Sequence, residues 1–279
     1  MKAFIKNSNW RFRLGFVVTF CFLFLGFVVY LFPHVDPFLF NTFPNQLPPS
    51  WDNFLGTTSL GQDIFWLLIS GIRNSLIIGL IVAAIGTVVG VFVGLLAGFA
   101  GGFLDRALMV VTDTFIVVPS LPILILMASL MRGTSTVILM ALVLSMFAWA
   151  WPSRQIRAMA LSLKERDFIQ TAWFSGEGTL QVIVTEILPF TLTWSLANFM
   201  NATLVAIATE SALAILGLSP GNLVSLGNMI NWALDRNAIM AGQWMWIGSP
   251  IVATVILFIG LFLLITGYND YLSLKRGRS

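Results

Sequence analysis

Two acids stand inside otherwise apolar runs: Asp113, flanked by Thr112 and Thr114, and Glu210, in the run that follows Pro189. Ionisable groups are costly in segments of membrane length. Each acid is therefore a candidate structural hydrogen-bonding anchor, or a group that lines or gates a solute path. Neither has the paired partner that a proton relay shows. Other chemistries are poorly supplied. His34 is the single histidine, so an H-E-x-x-H metal site is impossible. No G-x-S-x-G nucleophile elbow occurs. The four lysines, Lys2, Lys6, Lys164 and Lys275, complete no G-x-x-x-x-G-K-[ST], so the chain has no P-loop of its own. Cys21 is alone, which excludes an intrachain disulfide, a cysteine zinc cluster and a redox pair. No catalytic residue, cofactor or metal is expected here, and if ATP drives the protein another subunit binds it. The remaining unusual stretch is Phe168 to Pro189, polar and aromatic, with Gly176 and Gly178 at its centre.

The elements that position these residues are spans. With 58% apolar and 10% charged residues over 279 positions, the chain lies outside the range of soluble domains. A hydrocarbon core of about 30 Å needs about 20 apolar helical residues. Six stretches qualify: Leu14 to Phe32, Leu76 to Ala100, Ala107 to Leu130, Thr136 to Trp151, Pro189 to Gly217 and Met245 to Tyr268. All are expected to be helices, because lipid cannot satisfy an open strand edge. The first follows Lys2, Lys6, Arg11 and Arg13 and reads as a retained signal anchor. An even number of spans puts both termini on one side. With the N-terminus cytoplasmic, twelve basic residues fall inside, leaving only Arg73, Arg132 and Arg236 outside. Pro33 to Arg73 and Leu218 to Trp244 are then outer segments, the former ending in an apolar stretch suited to the membrane surface. Arg154 to Leu188 becomes the one sizeable cytoplasmic loop.

Within the second span Gly86, Gly90, Gly94 and Gly98 recur at every fourth position, with Gly79 a heptad earlier. This spacing predicts a surface for close helix packing, with a sliding seam as the functional alternative. Pro119 and Pro122 predict a kink in the third span. In the loop, Leu163 to Phe174 reads as a helix gathering Phe168, Ile169, Ala172 and Trp173 toward one face. Ser175-Gly176-Glu177-Gly178 stops it, and Leu180 to Leu188 forms a second helix that ends at Pro189. A short helix presenting aromatics beside a membrane lies on lipid or enters a partner's groove. Glu165, Asp167, Glu177 and Glu186 disfavour anionic lipid and point to a protein groove.

This loop resembles the EAA loop of ABC-importer permeases. Gln170-Thr171-Ala172 stands at the E-A-A positions, Gly176 follows after three residues, and Glu186-Ile187-Leu188-Pro189 after nine more. Other motifs lie in the same order as in the dipeptide, oligopeptide and nickel permeases: Leu55-Gly56-Thr57, Leu60-Gly61-Gln62-Asp63, Gly71-x-Arg73-x-Ser75-Leu76, Ala97-Gly98-Phe99-x-Gly101-Gly102-x-x-Asp105, Asp113 with Pro119, and Glu210-Ser211-Ala212-Leu213-x-x-Leu216-Gly217-Leu218. Departures concentrate at charged positions, with Thr58 in place of an acid and Gln62 in place of an arginine.

The resemblance implies an all-α fold, a type I ABC-importer permease of six transmembrane helices with both termini cytoplasmic, and a C-type subunit of the pair. Residues 1–74 would form an anchor helix and outer segment, and residues 75–279 the permease domain, with a coupling loop over 158–189. The implied partners are a homologous permease, two ATP-binding subunits that hold ATP and magnesium, an extracytoplasmic binding protein and the lipid membrane, with no nucleic acid. The coupling residues it implies are Phe168, Gln170, Ala172, Trp173, Gly176 and Glu177. Peptides, oligosaccharides and chelated nickel all fit as solute. A secondary transporter, or a membrane scaffold or channel, is the alternative class, and the former would show matched inverted halves.

Overall fold

The computed structural model describes residues 9–33, 36–130, 136–220 and 223–276. Lys2, Lys6, His34, Arg132 and Arg278 lie outside the described residues. Helix α1 (Trp10–Phe27) is apolar almost throughout and closes in a short 3-10 turn at Val29–Leu31. Helix α2 (Ile64–Ala100) is the axis of the molecule. Its 37 residues reach about 55 Å at 1.5 Å per residue, well beyond a bilayer's hydrocarbon. The span expected from Leu76 thus begins twelve residues earlier, and the apolar stretch before it does not lie along a surface. The reason is a cap. Asp63 accepts the N–H groups of Phe65 at 2.8 Å and Trp66 at 3.1 Å, and Asn53 Nδ2 fixes its other oxygen at 2.7 Å.

The third and fourth expected spans are each broken. Helices α3 (Gly102–Val117) and α4 (Ser120–Leu130) meet at 79°. Val118, the residue before Pro119, is extended at φ −67° and ψ 125°, as a residue before proline prefers. Pro122 does not share in the break, because it sits in the first turn of α4 where its missing N–H is not needed. Helices α5 (Val137–Ala148) and α6 (Ala150–Lys164) meet at 42° around Trp149. Arg154 and Arg157 therefore belong to a helix packed along α2, and the loop expected from Arg154 is much shorter.

Helix α7 (Asp167–Phe174) starts after a break at Glu165 and Arg166, four residues later than the expected Leu163. Helix α8 (Thr179–Val182) runs through a π-helical turn, Ile183–Ile187, directly into α9 (Leu188–Ile215). Pro189 does not end a helix as expected. The wider π turn, closed by Leu188 N–H to the Ile183 carbonyl, gives the proline ring room beside a backbone that cannot receive its absent N–H. Helix α10 (Leu226–Asp235) and helix α11 (Trp244–Arg276) complete the chain. Four spans stand individually, α1, α2, α8 to α9, and α11, and the two bent pairs bring the candidate spans to six.

α1 and α11 are antiparallel neighbours. Gly267 abuts Phe12, Gly260 abuts Val18, and a Cβ on Gly15 would meet the Gly260 carbonyl at 2.8 Å. Asn9 Nδ2 donates to Asp270 at 3.2 Å, so the start of α1 and the end of α11 share one end of the molecule. Lys164 Nζ, 3.4 Å from the Phe99 carbonyl, places the ends of α2 and α6 there too. This basic end gathers Arg11, Arg13, Arg106, Arg154, Arg157, Lys164 and Arg166, whereas Arg73 and Arg236 lie toward the opposite one.

Candidate functional site

At the basic end, α7 projects a surface and is anchored by its other face. Ile169 and Ala172 point inward into a buried cluster with Leu95, Phe99, Ile156, Ala160, Val182 and Ile187, and Trp173 packs half-buried beside them. These three occupy positions i, i+3 and i+4, one helical stripe. The expected coupling residues Ala172 and Trp173 thus seat the helix on its own chain. Phe168 is 38% exposed, its ring 5.5 Å from that of Phe190. Gln170 and Gly176 face outward. Sequence reading missed the most exposed apolar groups here, Phe174 at 89% and Leu180 at 76%. The signal was available for Phe174: one residue past the inward stripe, a side chain must leave it.

The turn after α7 is a Schellman motif. Gly176 takes φ +88° and donates to the Trp173 carbonyl at 3.0 Å, and Glu177 N–H reaches back to the Ala172 carbonyl at 3.2 Å. A Cβ at Gly176 would meet nothing within 4 Å. Glycine is needed there for its backbone. Oε2 of Glu177 is buried without a hydrogen-bond partner among the described residues.

Beneath this platform lies the glycine row. A Cβ at Gly86 would come within 2.7 Å of Ala148 Cβ, at Gly90 within 2.6 Å of Pro152 Cβ, at Gly94 within 2.5 Å of the Ser153 carbonyl, and at Gly98 within 2.7 Å of Ala160 Cβ. The row is therefore a seam along which α2 touches the backbone of α5 and α6. Gly79 instead meets Ile207 of α9. A charge pair the sequence did not reveal closes the seam: Arg157 Nε and Nη2 donate to the two Asp105 oxygens at 2.5 and 2.7 Å. Bidentate geometry makes this the strong kind of ion pair, and it ties α3 to α6. Asp113 meets Arg154 at 3.4 Å, with both side chains more than half exposed. Such a pair is worth little.

Glu210 is fully buried. Ser225 Oγ donates to its Oε1 at 2.7 Å and, as N-cap of α10, receives Asn228 N–H at 3.1 Å. Two further bonds bind this region to α2: Asn74 Nδ2 to the Val224 carbonyl at 2.7 Å, and Leu226 N–H to Ser75 Oγ at 3.1 Å. Glu210 thus meets the cap of α10 through Oε1, while its Oε2 is buried without a hydrogen-bond partner among the described residues. Its neighbour Thr209 instead lines a cavity of about 290 Å³ between α2, α4, α5, α6 and α9, with Ser120, Trp151, Asn198 and Asn201 on its wall. The lining carries no charged side chain.

Residues 90–278 match the family described as the binding-protein-dependent transport system inner membrane component. The chain belongs to this family. It is 32% identical to the oligopeptide transport system permease protein OppC of Mycobacterium tuberculosis, over 99% of this chain and 96% of that one. It is 28% identical to OppC of Lactococcus lactis subsp. cremoris, over 93% and 90%, and 28% identical to the nickel transport system permease protein NikC of Escherichia coli, over 91% and 92%. The chain is accordingly a multi-pass membrane permease and not an enzyme. The family match begins at Gly90, so it takes in most of the seam, the Asp105–Arg157 pair, α7 and its turn. The relatives matched over nearly their whole length extend the likeness to α1 and the segment between α1 and α2.

Proposed function

We propose that this chain forms half of the solute pathway of an ATP-driven importer and transmits the motion of two ATP-binding subunits through α7. The observation that carries this is the two-sided construction of α7. Its inner face is locked to α2 and α6 by Ile169 and Ala172, while Gln170, Phe174 and the Gly176 turn stand clear on the basic end. A force applied to Phe174 would reach α2 through packed groups, because close-packed interiors transmit displacement. The differential contact an ATPase makes with this knob in its two states is sufficient to shift access across the membrane.

The pathway half is the uncharged cavity bearing Asn201 and Thr209, completed by a homologous permease and fed by a binding protein. Peptides are the proposed solute, supported by the full-length likeness to proteins named for oligopeptide transport and by a wall offering amide, hydroxyl and aromatic groups. The test is reconstitution with the second permease, both ATP-binding subunits and the binding protein in proteoliposomes. ATP-dependent accumulation of a labelled peptide is expected. Accumulation by this chain alone without ATP would establish a secondary transporter instead.

A further inference from the structure

We propose that Arg73, together with the hydroxyls of Tyr30 and Thr136, holds the phosphate of an anionic phospholipid in the leaflet opposite the basic end. These residues line a cavity of about 290 Å³ with Asn74 and an apolar wall of Phe38, Val137 and Leu223, at the small end of the range for ligand sites. Close helix approach builds it. A Cβ on Gly26 of α1 would lie 3.2 Å from Arg73 Cα, so the two backbones nearly touch. One turn further along, the Tyr30 ring receives the guanidinium at 4.3 Å from its centroid. Thr136 caps α5 at the same cavity: its Oγ accepts Leu139 N–H at 3.3 Å, which leaves the hydroxyl hydrogen to donate.

Arg11, Arg154 and Arg157 each meet a carboxylate. Half-buried Arg73 meets none among the described residues, which include every Asp and Glu of the sequence. Asp36, close to Phe38 in sequence, turns Oδ1 to Phe38 N–H at 2.9 Å. The bond from Arg73 Nη1 to Asn74 Oδ1 is long at 3.5 Å, and a guanidinium has five donors that match phosphate oxygens in pairs. No acid lines the cavity, so the ammonium of a zwitterionic headgroup finds no counter-charge there. Depth and the surface beneath make the source a lipid. From Arg73 to Gly98, where α2 reaches Ala160 of the basic end, the helix rises about 37 Å at 1.5 Å per residue. That exceeds the hydrocarbon, about 30 Å, and stays within the bilayer including its headgroups, about 40–45 Å. Below Arg73 the same face of α2 shows Ile77 and Leu80 half-buried and Ala84 and Val88 exposed, an unbroken apolar strip for an acyl chain.

The test uses the complete transporter in neutral detergent, with lipid binding read by native mass spectrometry. Palmitoyl-oleoyl phosphatidylglycerol should bind severalfold more tightly than the phosphatidylcholine with the same chains, whose ammonium meets the Arg73 charge with no acid to offset it. Arg73→Gln should lower phosphatidylglycerol affinity about tenfold, the scale of a lost charge-assisted bond, and abolish the preference. Arg73→Lys, which keeps the charge without the fork, should fall between. Melting curves without added lipid check that each variant is folded. Glycerol phosphate and inorganic phosphate, which lack acyl chains, should not displace the lipid at millimolar concentration. Displacement by either would make this a site for a soluble phosphate and overturn the lipid. Equal wild-type affinity for the two lipids, a comparison that needs no variant, or unchanged phosphatidylglycerol binding in Arg73→Gln would each overturn the proposal. So would loss of the second permease from Arg73→Gln preparations with lipid binding intact, since Arg73 would then face a carboxylate of that subunit.

Discussion

Gly176 isolates backbone conformation from every other variable. Its φ of +88° lies far from the −65° that proline enforces, and its N–H is in use at 3.0 Å. Alanine there pays the left-handed penalty of about 1–2 kcal/mol, which shifts the equilibrium of the turn about five- to thirtyfold. Proline cannot take the conformation at all. It removes the bond to Trp173 and displaces the Glu177 to Ala172 bond, about 1 kcal/mol each, and the turn is lost rather than weakened. Because nothing lies within 4 Å of a Cβ at this position, the alanine penalty does not come from collision. Asparagine, which tolerates the left-handed region, should therefore be milder than alanine, and proline worst. In reconstituted proteoliposomes, peptide taken up per ATP hydrolysed should fall in the order Gly, Asn, Ala, Pro, with membrane insertion unchanged. Wild-type coupling in Gly176→Pro, or Asn performing as badly as Pro, would refute the reasoning.

Other perturbations test other parts. Phe174→Ala should leave thermal stability within about 0.5 kcal/mol, as expected of an exposed site, while reducing co-purification with the ATP-binding subunits; equal co-purification would remove Phe174 from the contact. Gly94→Leu should lower the melting temperature markedly, since overpacking costs about 1–3 kcal/mol and a Cβ alone already meets the Ser153 carbonyl at 2.5 Å. Asp105→Asn should destabilise by about 1–3 kcal/mol, and a double-mutant cycle with Arg157→Gln should show coupling that the Asp113 and Arg154 pair lacks. Glu210→Gln keeps an oxygen for Ser225 and should retain uptake. Loss of uptake with normal folding would instead make the Glu210 charge part of a gate.

The all-α spanning architecture was legible because lipid leaves few choices: apolar length sets the number of crossings. Spacing also carried the stop at Gly176, since few residues adopt its φ, and the close seam of Gly86, Gly90, Gly94 and Gly98, since small residues at every fourth position present one bare strip. Boundaries were less legible. The early start of α2 depended on a cap completed by Asn53, and the continuous run through Pro189 depended on a π turn. Both are settled by bonds between residues that composition treats alike. Within α7 periodicity gathered Phe168, Ile169, Ala172 and Trp173 toward one face without saying which side the rest of the chain occupies, and the packing turns Ile169, Ala172 and Trp173 inward.

The sequence alone therefore determined that the chain crosses a membrane, where its charges concentrate and which short loop is punctuated by an obligatory glycine. These depend on the solvent and on single-residue backbone preference, which act locally. Tertiary structure decided that Arg157 belongs to Asp105 and that Glu210 receives the Ser225 hydroxyl at the cap of α10. Such pairings depend on which helices pack together, and no local pattern encodes that choice.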